Sequence, residues 1–309
     1  MKSLTIAKQE VKLLTRERTV LLLLIVFICL ALASTFIGWF AQNNIQKVFL
    51  VAANELKIEG KTIPPSPFSN FPDLSVVKNV MIYIVLCGAL LAIVLGYSSG
   101  MHDRKAGSVK ILFSHPINKK DYLIGKILGI SFVLLLMMII ALIISAISSA
   151  ILEKITGTDI LHLIGFYGFS FIYLLGFAIL GLAFALLIDN DAIALLIPIV
   201  IWLTITFVLP EFTSALYPTA TLNPVLPATE THGPILDLMR SIVNPFSISE
   251  HYKDSGAYIL NLKDSFSNII SSTENIFNLF LIFIWSLLCL LFGYLALRKF
   301  NPAEGDLNE

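Results

Sequence analysis

Few residues of this chain have the types and spacing of a catalytic or metal-binding site. Four side chains that can bind metal ions stand in one segment: Glu230, His232, His251 and Asp254. They lack the close ligand pairs that are typical of metal sites. Gly60-Lys61-Thr62 resembles the end of a phosphate-binding loop, but Glu55 stands where that loop requires glycine. With no HExxH or Ser/His/Asp arrangement either, the sequence predicts neither an intramembrane enzyme nor an ATP-binding site.

Six long apolar stretches dominate the chain instead. They run over Thr19–Ala41, Asn79–Gly100, Leu123–Leu152, Leu161–Ile188, Ala192–Pro210 and Asn275–Leu297. A transmembrane helix needs roughly 20 predominantly apolar residues, so each stretch can cross a bilayer. Lys126, near the start of the third, is the only charged residue within them. The sequence predicts an all-α polytopic membrane protein with six transmembrane helices. Its moving parts carry no charge, so we expect that something outside them supplies the energy or a driving gradient.

The composition agrees with a membrane protein. Of the 309 residues, 57% are hydrophobic and 14% are charged, against about 25% charged in soluble domains. The formal net charge is zero, so we expect no nucleic acid partner. Cys29, Cys87 and Cys289 all fall inside the apolar stretches, which leaves no cysteine for a disulfide outside the membrane.

The distribution of Lys and Arg predicts the topology. Six spans divide the loops into two sides, and the side that holds both termini carries thirteen Lys and Arg residues against eight on the other. Those eight are spread over much longer loops. Because cytoplasmic loops carry the excess of positive charge, we expect both termini in the cytoplasm of a prokaryotic cell, with the protein in the plasma membrane.

Residues 1–18 are predicted to form an amphipathic helix ahead of the first span. Leu4, Ala7, Val11 and Leu14 are spaced as one face of a helix. Cationic residues on the same segment suit the anionic lipid of the inner leaflet. Two interpretations stay open: a positively charged anchor, or an elbow helix that transmits motion into the first span.

The loop of residues 101–121 is the most distinctive segment between two spans. Val109, Leu112 and Phe113 form an apolar patch at helical spacing, and Pro116 ends that short helix. A short amphipathic helix tied to two spans can dock in the groove of a partner and pull on both. The competing interpretation is a helix that lies on the membrane surface.

Two larger segments, residues 42–78 and 212–274, lie on the other side of the membrane. Both are rich in proline, so at least half of the first should be irregular, and the second should hold one short helix, Ile235–Val243. Neither segment is expected to form a hydrophobic core of its own, so the chain is predicted to be a single domain over residues 1–309. These outer segments are candidates for binding an accessory protein.

Small residues recur at every fourth position in the second and third stretches. They are Gly88, Ala92, Gly96 and Gly100 in the second, and Gly125 and Gly129 in the third. Such ladders let helix backbones approach closely. We expect packing within one subunit, with a dimer seam as the alternative.

Hydroxyl side chains are the polar groups available for a transport path. They are Ser145, Ser148, Ser149, Tyr167, Ser170 and Tyr173. Ion-coupled carriers usually place ionisable groups at the middle of the membrane, and that class is disfavoured here. The hydroxyls suit an amphipathic or apolar cargo, but hydrogen bonds between helices are the favoured explanation for each of them.

The loop after the second span resembles that of type-2 ABC exporter permeases. The resemblance lies in residues 96–116 (GYSSGMHDRKAGSVKILFSHP), in residues 119–126 (KKDYLIGK), in Ala7–Lys12 and in Asn244-Pro245-Phe246. The nearest subgroup comprises permeases of nitrous-oxide-reductase and multicopper-enzyme maturation systems. The chain departs from the pattern in its longer outer segments and in Ser108, where threonine is commoner.

The resemblance implies a six-helix permease that dimerises with itself or a close relative and binds two cytoplasmic ATPase subunits. Those subunits would bind the ATP, and the permease itself would need no cofactor. The loop then holds the coupling helix, with Val109, Leu112 and Phe113 docked in the ATPase and Arg104, Lys105 and Lys110 on the rim. We expect an exporter subunit; the alternative is a membrane scaffold or assembly subunit without transport activity.

Overall fold

The computed structural model describes residues 2–62, 74, 77–105, 118–152, 155–210, 233–262 and 272–300. Within these residues the chain is helical and forms no strand. The helices are α1 Lys2–Leu14, α2 Arg18–Ile58, α3 Lys78–Tyr83, α4 Ala89–Lys105, α5 Lys119–Leu152, α6 Gly157–Leu187, α7 Asp191–Leu203, α8 Pro234–Val243, α9 Ile248–Ile259 and α10 Ser272–Lys299. A π-helical turn, Ile84–Gly88, joins α3 to α4, and a second, Thr204–Val208, continues α7.

Six helical segments are long and apolar enough to cross a membrane. They are Arg18–Phe40, Lys78–His102, Lys119–Ile151, Gly157–Leu187, Asp191–Val208 and Asn275–Lys299, here called the first to sixth spans. Helices satisfy their own backbone hydrogen bonds, which is why they can cross lipid. The predicted all-α polytopic membrane protein with six transmembrane helices is confirmed.

Successive spans run in opposite directions, which defines two sides of the molecule. We call the side that holds Leu14, Lys105 and Lys119 the inner side, and the side that holds Ile58 and Lys78 the outer side. Both α1 and the end of α10 lie on the inner side. Helices α8 and α9 lie on the outer side, between the fifth and sixth spans.

The fourth span is the centre of the bundle. It is the most buried of the six, and it packs most extensively against the second and sixth spans. The first, fifth and sixth spans bury far less and expose apolar side chains such as Phe36, Leu196 and Leu287. Such apolar surfaces suit contact with lipid tails.

Helix α2, which contains the first span, is longer than the sequence indicated. It continues past the predicted end of the span at Ala41 as far as Ile58, so the outer segment of residues 42–78 begins with helix. Residues 42–58 contain neither glycine nor proline, and nothing there stops the helix until Gly60, whose φ is +70°. The prediction that at least half of this segment is irregular concerns chiefly the residues after Ile58, most of which lie outside those that the structure describes.

The described residues of the second outer segment form two short helices, rather than one, ahead of α10. The predicted helix Ile235–Val243 is present as α8, and α9 over Ile248–Ile259 was not predicted. Its buried face mixes Ile248 and Tyr252 with Ser249, His251 and Ser255. The pattern is therefore not apolar enough to signal a buried helix.

The buried face of helix α1 is rotated from the predicted one and shares Leu14 with it. Leu4, assigned to the apolar face, is 72% exposed, whereas Ile6, Glu10 and Leu14 are buried. These three residues are four positions apart and share one side of the helix. A hydrophobic pattern could not find this face, because its middle residue is an acid.

Candidate functional site

The predicted coupling residues Val109, Lys110, Leu112 and Phe113 lie outside the residues that the structure describes. Arg104 and Lys105 are the last two residues of α4, the inner end of the second span. The described structure therefore shows the two helices that hold the loop rather than the loop itself.

A buried lysine joins these two helices. Lys126, in the second turn of the third span, donates from Nζ to the carbonyl oxygen of Ser99 at 2.8 Å. Ser99 is in the last two turns of α4. The same Nζ lies 2.5 Å from Oε2 of Glu10 on α1. One ammonium group therefore holds both helices beside the loop and the N-terminal helix together.

Because both side chains are buried, the charge of Lys126 and the charge of Glu10 each depend on the other as a partner. Lys126 is 1% exposed and Glu10 is 3% exposed. A charge removed from water is tolerated only with a partner and further hydrogen bonds, both of which are present here. The sequence located Lys126 near the start of the third stretch but did not indicate its buried partner, Glu10.

A second acid ties the beginning of the first span to the same place. Ser98 donates from Oγ to Oε1 of Glu17 at 3.0 Å. Glu17 is the residue that precedes α2. We call Glu10, Glu17, Ser98, Ser99 and Lys126 the inner junction. It brings together α1 and the inner ends of the first three spans.

Gly125 and Gly129 allow α1 to approach the third span. A Cβ atom at Gly125 would lie 2.7 Å from Cβ of Ile6, and one at Gly129 would lie 2.5 Å from Cβ of Glu10. Real Cβ atoms are essentially never that close. Both glycines thus face α1 within the subunit, and their lack of a side chain lets Glu10 reach Lys126.

Gly96 and Gly100 form a close seam between the second and fourth spans. A Cβ atom at Gly96 would overlap the carbonyl oxygen of Ala178, and one at Gly100 would lie 2.6 Å from Cβ of Ala185. In the opposite direction, a Cβ atom at Gly181 would overlap the carbonyl oxygen of Ile93. These backbones are close enough for direct contact.

The outer end of the glycine ladder is looser. A Cβ atom at Gly88 would meet its nearest neighbour, the side chain of Leu174, at an ordinary 3.4 Å. Ala92, between Gly88 and Gly96, is fully buried and already carries a Cβ. The close approach is therefore confined to the inner half of the second span.

Helix α9 closes against the outer half of the fourth span through aromatic stacking. The ring of Tyr252 stacks on Tyr173 at a centroid distance of 4.3 Å and on Phe169 at 5.5 Å. Its hydroxyl lies 2.6 Å from Oγ of Ser170. Burial raises the pKa of Tyr252 well above its ordinary value, so the hydroxyl stays neutral in this contact.

The imidazole of His251, on α9, is hydrogen-bonded to protein groups through both ring nitrogens. Its Nε2 donates to the carbonyl oxygen of Asn244 at 2.8 Å, and its Nδ1 lies 2.8 Å from the side-chain oxygen of Asn278. Both ring nitrogens are thus engaged. Of the other candidate metal ligands, Glu230 and His232 lie outside the described residues. The residues that the structure describes contain no group of metal-binding side chains.

Both π-helical turns present carbonyl groups to side chains of other helices. The indole Nε1 of Trp202, on the fifth span, donates to the carbonyl oxygen of Val85 at 3.1 Å. Ser249, on α9, donates to the carbonyl oxygen of Ile205 at 2.8 Å. A π turn disturbs the regular ladder of backbone bonds, and side chains from neighbouring elements complete the bonding here.

Some of the hydroxyl groups singled out in the sequence join helices. Ser145 on the third span and Tyr167 on the fourth lie 2.6 Å apart, and Ser148 donates to Ile144 of its own helix at 2.7 Å. Ser170 bonds to Tyr252, as described above. Ser149 and Tyr173 are buried, and their hydroxyl groups have no hydrogen-bond partner among the described residues.

The chain is similar to a known family of membrane proteins over nearly its whole length. A family model described as ABC-2 family transporter protein matches residues 4–301. The chain belongs to the ABC-2 transporter family. The match runs from α1 to the end of the sixth span and includes the loop between the second and third spans. A search of curated proteins found none that matches.

Family membership fixes the general role of this permease. It is the transmembrane subunit of an ABC transporter, a membrane transport protein that is not itself catalytic. The family implies an ATPase partner subunit and usually a dimeric assembly. The inner junction connects the two helices that flank the loop expected to meet that partner.

Proposed function

We propose that this permease is the membrane subunit of an ATP-driven exporter, and that a separate ATPase drives it through the loop of residues 106–117. The observation that carries the proposal is the bonding of Lys126. It connects Ser99 and Glu10, and so links both helices that flank the loop to α1. A force applied to the loop would act on all three helices at once.

The proposed contact with the ATPase is made by the loop. Val109, Leu112 and Phe113 would enter a groove of the partner as apolar anchors, and such anchors usually dominate an interface. Arg104, Lys105 and Lys110 would form the polar rim. Rim charges chiefly affect association rate and salt dependence.

The inner junction would carry the movement onward. Glu17 attaches the beginning of the first span to Ser98 of the second span, and Glu10 attaches α1 to Lys126 of the third span, which bonds in turn to Ser99. A displaced loop would therefore shift α1 with the second and third spans as a unit. This interpretation favours the elbow helix over a passive anchor.

Export of an amphipathic or apolar cargo fits the bundle best. The described polar groups inside it include hydroxyls bonded between helices, such as Ser145 with Tyr167, and buried hydroxyls with no partner among the described residues, such as Ser149 and Tyr173; the buried ion pair lies at the inner end. The export direction rests on the resemblance of the loop. The resemblance to permeases of maturation systems bears on the identity of the cargo, and it stays a prediction.

Labelling of single cysteines tests the proposed orientation, with the inner side in the cytoplasm of a prokaryotic cell. In a background with Cys29, Cys87 and Cys289 replaced, Lys61→Cys and Lys8→Cys present exposed sites on opposite sides. A membrane-impermeant maleimide should label Lys61→Cys in intact cells and Lys8→Cys only after lysis, because cytoplasmic loops carry the positive charge. The reverse pattern would contradict the orientation.

Purification from native membranes tests the function itself. The tagged permease, extracted in mild detergent and returned to lipid, should carry a protein with a complete phosphate-binding loop and hydrolyse ATP. Removing the nucleotide-binding lysine of that partner should abolish hydrolysis and leave the complex intact. A complex without an ATPase would overturn the proposal and support the scaffold alternative.

A further inference from the structure

The third and sixth spans are joined at their inner ends. The third span begins at Lys119, and the sixth span ends at Lys299. Nζ of Lys119 donates a hydrogen bond to the carbonyl oxygen of Phe300, the residue that follows the sixth span, at 2.7 Å. This bond connects residues 181 positions apart in the sequence, so it holds the two inner ends side by side.

Four basic side chains stand at these two ends. They are Lys119, Lys120, Arg298 and Lys299, and all four are exposed. Asp121, the acid in the same turn of the third span, is half-buried. The exposed surface at the joined ends is therefore positively charged.

Apolar side chains continue the exposed faces of both helices toward the middle of the membrane. Ile124 follows Lys120 by one helical turn, and Leu295 precedes Arg298 by about one turn, so each pair shares a side of its helix. Ile124, Leu295 and Leu291 are between 46% and 54% exposed. A basic end thus stands above an apolar strip on each of the two spans.

The two spans leave a groove between them. Both pack extensively on the fourth span but little on each other. Beyond the bond between Lys119 and Phe300, the space between their inner halves is therefore open to lipid. We call the surface bounded by Lys119, Ile124, Leu295 and Arg298 the inner groove.

The chemistry of the inner groove matches that of an anionic phospholipid. A phosphate group accepts paired hydrogen bonds from a guanidinium group, and the ammonium of Lys119 has three donors, of which the carbonyl of Phe300 uses one. The guanidinium of Arg298 lies 5.1 Å from the ring centroid of Tyr294, which holds it at the end of the span. Basic pockets between transmembrane helices recognise anionic headgroups in this way.

We propose that the inner groove binds one anionic phospholipid, with the phosphate between Lys119 and Arg298 and the acyl chains along Ile124 and Leu295. The apolar strips favour a lipid over a free anion, because only a lipid occupies both the basic and the apolar part of the groove. This inference concerns the membrane alone and does not depend on an ATPase.

Quenching of a fluorescent label in the groove tests the proposal. Leu295→Cys, in the full-length, cysteine-free chain, carries a bimane label, and the protein is reconstituted in phosphatidylcholine vesicles. Increasing fractions of brominated phosphatidylglycerol or brominated phosphatidylcholine then quench the label on contact, and the two curves give the relative affinity of the groove for the two lipids. Phosphatidylglycerol should be preferred by about fivefold or more, the effect expected of one basic side chain at an anionic surface.

Matched variants assign this preference to the groove. In the labelled protein, Arg298→Met should lower the relative affinity about fivefold, and Lys119→Met repeats the test if the first variant fails to fold, as judged by gel filtration. Lys12→Met removes the same charge from an exposed position of α1 and should leave the affinity unchanged. A label at Leu196→Cys, exposed on the fifth span whose inner end is Asp191, should show no preference for phosphatidylglycerol.

Three outcomes would overturn the proposal. Equal affinity for the two lipids at Leu295→Cys would reduce the basic residues to a signal for topology. Equal losses from Lys12→Met and Arg298→Met would show that the preference follows net charge and not the groove. A preference that emerges only when the three acids of residues 301–309 are changed to Gln would show that this acidic segment, and not a lipid, occupies the groove.

Discussion

At the scale of single residues, Lys126 is the most consequential side chain that the structure describes. It is buried, paired with Glu10 and bonded to the carbonyl oxygen of Ser99. Desolvation of two charges costs several kcal/mol per ion, which their mutual attraction must offset. Such a pair is therefore weak evidence for added stability, but strong evidence for a specific arrangement of three helices.

Replacing the lysine should expose this dependence. We expect Lys126→Met to destabilise the protein by about 3 to 5 kcal/mol, because the carboxylate of Glu10 would be left buried without its ammonium partner. Lys120→Met, at an exposed position one turn and a half earlier in the same helix, should change the free energy of unfolding by less than about 0.5 kcal/mol. Unfolding in mixed detergent micelles measures both.

The double variant Glu10→Gln, Lys126→Met separates pairing from packing. Removing both charges abolishes the buried, unpaired carboxylate, so the double variant should be more stable than Lys126→Met alone. Equal losses in the single and double variants would show that the long apolar stem of the lysine, and not its charge, holds the junction.

At the scale of elements, glycine determines which helices meet. Gly96 and Gly181 bring the second and fourth spans into backbone contact, and Gly125 and Gly129 do the same for α1 and the third span. Small residues are the usual means by which helices associate in lipid, where no hydrophobic force drives them together.

Two alanine substitutions in one helix test this packing. Gly96→Ala should destabilise the bundle by about 1 to 3 kcal/mol, since the new methyl group would overlap the carbonyl oxygen of Ala178. Gly88→Ala is the matched control: its methyl group would meet Leu174 at 3.4 Å, and alanine favours helix. The comparison requires thermal unfolding curves in the same detergent. Equal stability of the two variants would contradict the assigned seam.

The sequence was a good guide to the spans and a poor guide to their partners. Each span could be predicted because a run of about 20 apolar residues is characteristic of a transmembrane helix. The spacing of Gly125 and Gly129 indicated close packing, but nothing local indicated that α1 is the neighbour. Glu10 and Lys126 are 116 positions apart, and an acid on a helix is ordinarily read as solvated.

At the scale of the whole molecule, the second and fourth spans connect the inner junction to the outer end. The second span contributes Ser98 and Ser99 to the junction, and the glycine seam fixes it to the fourth span. The outer half of the fourth span carries Tyr173, on which α9 stacks. A movement that begins at the loop therefore has a continuous packed route to the outer side, and such routes are one means of coupling distant sites.

The measurement that tests the central claim most directly is capture of the ATPase by a permease with an altered loop. The double variant Leu112→Asp, Phe113→Asp places two charges where apolar anchors are proposed, and each lost anchor costs about 2 kcal/mol or more. Leu4→Asp, at an exposed apolar position of α1 on the same side, is the control. All three proteins would be purified from membranes and assayed for bound ATPase and for ATP hydrolysis in lipid.

The account predicts that the double variant reaches the membrane in a folded state, since the spans are unchanged, but binds little ATPase and supports no hydrolysis. Leu4→Asp should assemble as the unaltered permease does. Full assembly and transport by the double variant would contradict the account, and would show that the loop helix lies on the membrane surface instead.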